Sequence, residues 1–262
     1  MVLAAGLGTR MRQPDGEAVL DAAQTAAADR GWKALMPIGG RPFLDYVLSG
    51  LADVGVEDVV IVYGPSTRAI PDHYARTPPE RVRLEVCEQA EPRGSADALL
   101  AAERLAGGGE FLALNSDNLY PAGAYRGLLA LGGPGLPVFE SGTLVARSNF
   151  TQRRIASFAV LEVSPAGELA GIVEKPPASE SGRDDALLSM NLWRLPPAIF
   201  DACRSVAPSP RGERELPRAV GDAIAAGMRL ATFPCDEGVL DLSTRRDVAE
   251  VERRLAGVEA RP

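Results

Sequence analysis

Val2-Leu3-Ala-Ala-Gly-Leu-Gly-Thr-Arg10 opens the chain and decides how the rest is read. A short apolar run that breaks into two glycines predicts a buried strand over Val2–Ala5, then a glycine-rich turn to Arg10. Glycines directly after a strand let backbone N–H groups approach phosphate oxygens with no Cβ in the way. Arg10 adds a permanent, bidentate cation. No Gly-Lys-Ser/Thr follows, so this is not a P-loop, and no third glycine heads a helix, so it is not the dinucleotide fingerprint. Taken alone, the stretch reads equally well as a plain structural turn.

Outward from it, strand-sized apolar runs alternate with helical patterns. Gln24–Asp29 predicts a turn of helix stopped by Gly31, and Pro42–Asp53 an amphipathic helix. Val59–Val62, Val82–Cys87 and Phe111–Leu114 predict strands, with a helix over Ser95–Leu105 capped by Ser95. Alternation at this spacing implies an α/β fold, a mixed and mostly parallel Rossmann-like sheet flanked by helices. Beyond a turn-rich break at Gly132–Pro137, the pattern predicts strands at Gly142–Ala146, Ser157–Val163 and Leu169–Glu174, with Ser164–Gly167 as a turn. Ser179–Asp185 reads as a polar loop. Helices are expected at Pro196–Cys203, Leu216–Ala226 and Arg245–Leu255, a strand at Arg229–Phe233, and a frayed end. No internal repeat is visible, and no hexapeptide pattern.

Composition narrows the function classes. The net charge of −7 leaves no surplus of basic residues to displace counterions, which argues against a general nucleic-acid binder. The longest apolar runs, such as Asp58–Tyr63 and Glu110–Leu114, are far short of a membrane span. The first residues carry no basic leader, so a cytoplasmic protein is expected. The opening strand begins so close to Met1 that either a start further upstream or an unusually short strand is expected. Cys87, Cys203 and Cys235 form no zinc or redox motif and are expected as reduced thiols in or near the core. Of the 28 Lys and Arg residues only Lys33 and Lys175 are lysines. Codon bias accounts for such a ratio, yet the lysines that survive it are enriched for sites where a compact ammonium matters.

Both lysines fall in motifs. Leu3–Arg10 followed by Lys33-Ala-Leu-Met-Pro37 resembles the signature of the sugar-1-phosphate nucleotidylyltransferase family. Further landmarks keep the family's order: Pro92-Arg-Gly-Ser-Ala-Asp97, Asn115-Ser-Asp-Asn-Leu-Tyr120, Glu174-Lys-Pro176 and Leu240-Asp-Leu-Ser-Thr244. The resemblance runs over residues 2–250.

It implies a glycosyltransferase-A-like nucleotidyltransferase fold in one domain, residues 1–255, with a nucleotide-binding half at 1–131 and a sugar-phosphate half at 132–255. Residues 256–262 are left as a tail. The implied reaction is in-line attack of a sugar 1-phosphate on the α-phosphorus of a nucleoside triphosphate, releasing pyrophosphate. Such chemistry rests on positioning and charge neutralisation. It asks for no histidine, and His73, the only one, lies outside every motif. The resemblance assigns Arg10, Lys33 and Lys175 to the phosphates, and Asp117 and Asp241 to Mg²⁺. Leu3, Ala4, Ala5, Gly6, Gly8, Thr9, Gln89, Gly94, Ser95 and Asp97 fall at nucleotide positions. Asn118, Ala159, Glu174 and Asn191 fall at sugar positions, and Trp193 fits either the core or a ligand platform.

Three departures stand out. Residues 13–31 read as an insertion, either a lid or a variable loop, because the family's lysine follows its arginine more closely. Trp32 replaces a proline before the lysine, and Ala159 replaces a glycine. Two other readings compete: a cytidylyltransferase for a non-sugar phosphate such as phosphocholine, and a non-catalytic regulatory protein on the same fold. The latter tends to lose phosphate-binding cations or metal carboxylates, whereas Arg10, Lys33, Asp117, Lys175 and Asp241 are all in place. The base, the sugar and the oligomeric state, including a homo-oligomer, stay open.

Overall fold

The computed structural model describes residues 1–174 and 183–262. In chain order it runs β1 (Val2–Ala4), α1 (Thr9–Arg12), α2 (Ala22–Arg30), β2 (Pro37–Ile38), β3 (Arg41–Pro42), α3 (Phe43–Asp53), β4 (Asp58–Tyr63), α4 (Ala69–Arg76), β5 (Arg83–Glu88) and α5 (Ser95–Ala101). It continues with β6 (Phe111–Asn115), β7 (Asn118–Leu119), α6 (Ala122–Ala130), β8 (Gly135–Glu140), α7 (Ser141–Arg147), α8 (Gln152–Ile155), β9 (Val160–Val163) and β10 (Leu169–Val173). The last elements are β11 (Leu187–Leu188), β12 (Trp193–Leu195), α9 (Ile199–Ser205), α10 (Leu216–Ala225), β13 (Ala231–Pro234), β14 (Leu240–Asp241) and α11 (Arg245–Arg254).

One mixed sheet organises them, in the order β10-β9-β11-β8-β12-β6-β1-β4-β5, with β13 beside β8. The strands β6, β1, β4 and β5 are mutually parallel, as the alternation of strand and helix predicts. The later half adds antiparallel neighbours through β12 and the β9–β10 hairpin. Side chains alternate across the sheet with period two. Leu114 and Val2 face the layer that contains α3 and α6, while Ala113 and Trp193 face the layer of α5, α9 and α10. Both faces are covered, so the central strands read as continuous apolar runs.

Trp193 is fully buried and belongs to the core, not to a ligand platform. Truncating it to alanine is expected to cost about 3–5 kcal/mol, the range for emptying a large aromatic site. Urea denaturation of the variant measures this. Cys203 and Cys235 are buried and Cys87 is half-buried, all as free thiols. No helix among the described residues is long and apolar enough to cross a membrane.

The structure departs from the sequence expectation at several places. Gly142–Ala146 is helix within α7, not strand. Its β-branched residues suggest a strand, but burial recurs at Ser141, Leu144 and Ser148, a helical face. The turn-rich stretch at Gly132–Pro137 instead feeds β8, which is buried from Gly135 to Phe139. Gly135 is needed there because a Cβ would lie 2.3 Å from the Ala231 carbonyl of the paired strand. Helix α5 stops at Ala101 and is capped by Gly94, since the Ser95 hydroxyl accepts from the Leu216 N–H at 2.8 Å instead. The pattern missed α4 altogether. The C-terminal residues are tied down: the Pro262 carbonyl accepts from Glu80 and Arg81 at 2.9 and 3.0 Å, and Ala260 is buried.

Residues 13–31 are not a free lid. Helix α2 is fastened at its start by a capping box between Asp21 and Gln24, and buries Ala27 and Ala28. Arg245 of α11 clasps the insertion, donating to the Met11 carbonyl at 3.0 Å and to Asp29 at 2.5 Å.

Candidate active site

From β1 the chain moves to β4 and β5, then crosses back to lay β6 on the other side of β1. The loops after β1 and β6 therefore diverge, and a crevice opens at their carboxyl ends. A cavity of about 660 Å³ lies there. One wall is the turn Leu3–Leu7 with Arg10, together with Gly31 at the end of the insertion and Trp32–Leu35 just after it. A second wall carries Gln89, Pro92, Gly94 and Ser95. The floor is Asn115–Asn118 with Asp241, Ser243 and Arg154, and Phe158, Glu174, Asn191 and Arg211 complete the lining.

Most sequence-designated residues meet in this one cavity, although they come from positions 3 to 241. Leu3, Ala4, Ala5, Gly6, Arg10, Lys33, Gln89, Gly94, Ser95, Asp117, Asn118, Glu174, Asn191 and Asp241 all line it. Gly8, Thr9, Asp97 and Ala159 are not among the lining residues. The two loop glycines have different reasons to be glycine. Gly6 is open: a Cβ there would meet nothing within 4 Å. Gly8 has φ +62°, and a Cβ would lie 2.2 Å from the Gly31 carbonyl, so its close approach is to the insertion. Asp97 stands behind the second wall and accepts from the Gln89 amide at 3.0 Å. Ala159 is buried, with its carbonyl taken by the Ser189 N–H at 3.1 Å. Lys175 lies outside the described residues. His73 is on α4, away from the cavity.

The floor is a charge network. Lys33 is ion-paired with Asp117, both side chains largely sheltered at 18% and 17% exposed. Burial pushes the Asp117 carboxyl up, but the Lys33 charge and hydrogen bond, helped by Arg10, hold it below the ordinary range. Asp241 behaves oppositely. Burial pushes it up to about 6, the charges of Asp117 and Asp247 add to the rise, and Arg154 works against it. Arg154 pairs with Asp241 and also with Asp247, at 3.0 Å to the latter. Asn118 donates to Asp241 Oδ1 at 2.9 Å, across the β7–β14 pairing that sets the two residues side by side. Arg10 reaches Ser243 Oγ at 3.5 Å.

On the second wall the Gln89 amide nitrogen donates to the Gly94 carbonyl and to Asp97, both at 3.0 Å. Its carbonyl oxygen is left as the acceptor it offers. Asn191 has φ +56°, the left-handed conformation that asparagine tolerates better than most residues. Tyr120 fixes the turn by donating to the Met190 carbonyl at 2.7 Å. Asn191 Oδ1 is buried with no partner among the described residues.

Sequence reasoning missed Arg154, the cation on Asp241. It comes from a single helical turn after Thr151, one arginine in an arginine-rich chain, and nothing in its neighbours marks it. Trp32 was noticed only as a departure; it lines the cavity and its indole N–H donates to the Ser66 carbonyl at 3.0 Å.

Comparison with known proteins agrees with this geometry. The nucleotidyl transferase family model matches residues 28–256. The UTP–glucose-1-phosphate uridylyltransferase AglF of Haloferax volcanii is 29% identical, over 97% of this chain and 95% of that protein. A glucose-1-phosphate thymidylyltransferase of Streptomyces antibioticus is 28% identical over 97% of this chain, which spans 65% of that relative. The bifunctional protein GlmU of Maricaulis maris is 30% identical over 96% of this chain, which spans 51% of its length. Among solved structures, a UDP-glucose pyrophosphorylase complexed with UDP-glucose superposes with TM-score 0.75 over 98% of each chain, at 18% identity.

Proposed function

The chain belongs to the nucleotidyl transferase family, and from that premise we propose that it joins a nucleoside triphosphate to a sugar 1-phosphate, giving a nucleoside-diphosphate sugar and pyrophosphate. One observation carries the reading. A single crevice at the switch point of the sheet gathers a glycine turn, Arg10, Lys33 on Asp117, and Asp241. No covalent nucleophile is needed: an oxygen of the sugar phosphate attacks the α-phosphorus, and the bond to the β-phosphate breaks as pyrophosphate leaves. The protein's work is to hold two anions in line and neutralise them. Arg10 and Lys33 serve the triphosphate, with the open backbone at Gly6 against it. Lys175 is proposed for the phosphate of the sugar, and Glu174 and Asn191 for its hydroxyls. On this reading residues 1–131 form the nucleotide half and 132–255 the sugar half.

Mg²⁺ suits the donor set. Asp117 and Asp241 are hard oxygen donors that open on the same cavity, close enough for the charge of one to disfavour ionisation of the other. When bound, a divalent ion would neutralise phosphate oxygens.

For the base, the orientation of Gln89 supports uracil or thymine, whose ring N–H pairs with the amide oxygen that is not engaged by Asp97 or Gly94. The alternative of cytosine presents a lone pair at that ring nitrogen, against the same oxygen. Asp97 thereby acts by orienting Gln89, not by touching the base. Pyrophosphate release is the assay, with Mg²⁺, five nucleoside triphosphates including dTTP, and a panel of hexose 1-phosphates. Turnover with UTP or dTTP is expected. Silence with every pair would sink the reading, and turnover confined to CTP would overturn the base assignment.

A further inference from the structure

The two carboxylates on the cavity floor are tied down by different means. Lys33 meets Asp117 with a single ammonium on a flexible stem. Arg154 is a planar fork fixed at several points. Its Nη1 donates to both oxygens of Asp247, at 3.0 and 3.1 Å, and its Nη2 donates to Asp241 Oδ2. Its guanidinium lies 5.4 Å from the centroid of the Phe150 ring, and its side chain is 15% exposed. Asp247 is itself held, accepting from the backbone N–H groups of Ser243 and Thr244 at 3.0 and 2.6 Å. The other oxygen of Asp241 receives Asn118 at 2.9 Å and Ser243 Oγ at 3.3 Å. Both oxygens of Asp241 are therefore engaged before any ion arrives, with a permanent positive charge beside them.

We propose that Arg154 is a positioning residue that competes with the divalent cation for Asp241, so that the metal engages Asp241 together with the triphosphate and not before it. The inference rests on the nucleotidyl-transfer reading and deepens it with an order of events. In the free protein a metal has Asp117 as its foothold, because Lys33 can swing away. Asp241 stays closed, since a divalent ion there must displace Nη2 and sit against a like charge at short range. The triphosphate changes the balance. Its oxygens offer Nη2 a new acceptor, while Nη1 keeps its two bonds to Asp247. Turning the fork about that anchored nitrogen frees Oδ2 without unfolding α8 or α11.

Mn²⁺ titration followed by electron paramagnetic resonance tests this, with and without saturating UTP. Arg154→Gln is expected to tighten Mn²⁺ binding to the free protein by about tenfold, the size of an ordinary coupling between sites. The gain should vanish in Arg154→Gln/Asp241→Asn, and UTP should raise Mn²⁺ affinity less in Arg154→Gln than in the parent protein. Structural damage lowers affinity, so it does not mimic a gain. Unchanged Mn²⁺ affinity in Arg154→Gln overturns the proposal. If that variant fails to fold, single carboxylate variants decide. Asp117→Asn should weaken Mn²⁺ binding to the free protein while Asp241→Asn leaves it unchanged; equal weakening by both overturns the proposal. These readings need no turnover, so they stand apart from the pyrophosphate assay.

Discussion

Lys33→Ala is expected to lower kcat/KM for pyrophosphate release by about 10²–10³, the loss that follows removal of one preorganised charge donor from a transition state. The ammonium sits on the cavity floor against Asp117, largely sheltered. Deleting it removes a cation meant for the phosphates. It also exposes the triphosphate to an Asp117 carboxylate with its principal partner gone. Part of any loss in Lys33→Ala therefore belongs to repulsion and to instability, and breaking a sheltered pair costs about 3–5 kcal/mol when one charge is left behind. Lys33→Ala/Asp117→Asn separates the parts. The double variant should recover stability by chemical denaturation, yet remain at least as impaired in turnover, because Asp117 is itself proposed as a metal ligand. Lys33→Arg should recover little, since a guanidinium fork in place of a compact ammonium cannot swing between Asp117 and a phosphate. A Lys33→Ala enzyme within about threefold of the parent falls far outside the range for a transition-state donor. It would remove Lys33 from the phosphate site.

Physical signals of different reach explain what could be read from the sequence. Parallel strands and their helices leave short-range periodicity, so β1, β4, β6 and α3 were legible, and so was the crevice at their ends. Motif order located Asp117 and Asp241 at residues the fold then brings together through the β7–β14 pairing. Pairings made only in space were not legible. Arg154 becomes notable because Asp241 and Asp247 converge on it, and that convergence has no sequence signature. Position alone puts Gly8 among the phosphate-facing glycines, whereas in the fold its missing side chain serves contact with Gly31. The resemblance puts Gln89 and Asp97 alike at nucleotide positions; the hydrogen bond between them is made only in space. The spacing of Arg10 and Lys33 marks the insertion but leaves it as a lid or a variable loop, because its anchor is a distant residue, Arg245.

The glycine at position 94 gives the second large effect. Its φ of +107° is one that side-chain-bearing residues rarely adopt, and a Cβ there would lie 2.3 Å from the Arg214 carbonyl and 2.7 Å from its nitrogen. Both obstacles are backbone, so no rotamer change relieves them. The two segments are also stitched together: Arg214 N–H donates to the Arg93 carbonyl at 2.6 Å, Ala96 N–H to the Arg214 carbonyl at 2.9 Å, and Leu216 N–H to Ser95 at 2.8 Å. Gly94→Ala must strain the backbone, at about 1–3 kcal/mol, and part these strands of chain, at a further cost of about 1–3 kcal/mol for overpacking. The consequence reaches the site, because the Gly94 carbonyl is one of the two acceptors that orient Gln89. Loosening it should raise KM for the nucleoside triphosphate by about tenfold, the equivalent of one hydrogen bond of ordinary net strength. KM for the sugar phosphate should move much less. That asymmetry separates a misplaced base wall from general destabilisation, which would reduce the active fraction and leave both KM values alone. If Gly94→Ala keeps its denaturation midpoint and its triphosphate KM, the segment around Arg214 yields freely and the wall formed by Gln89 and Gly94 is not rigid.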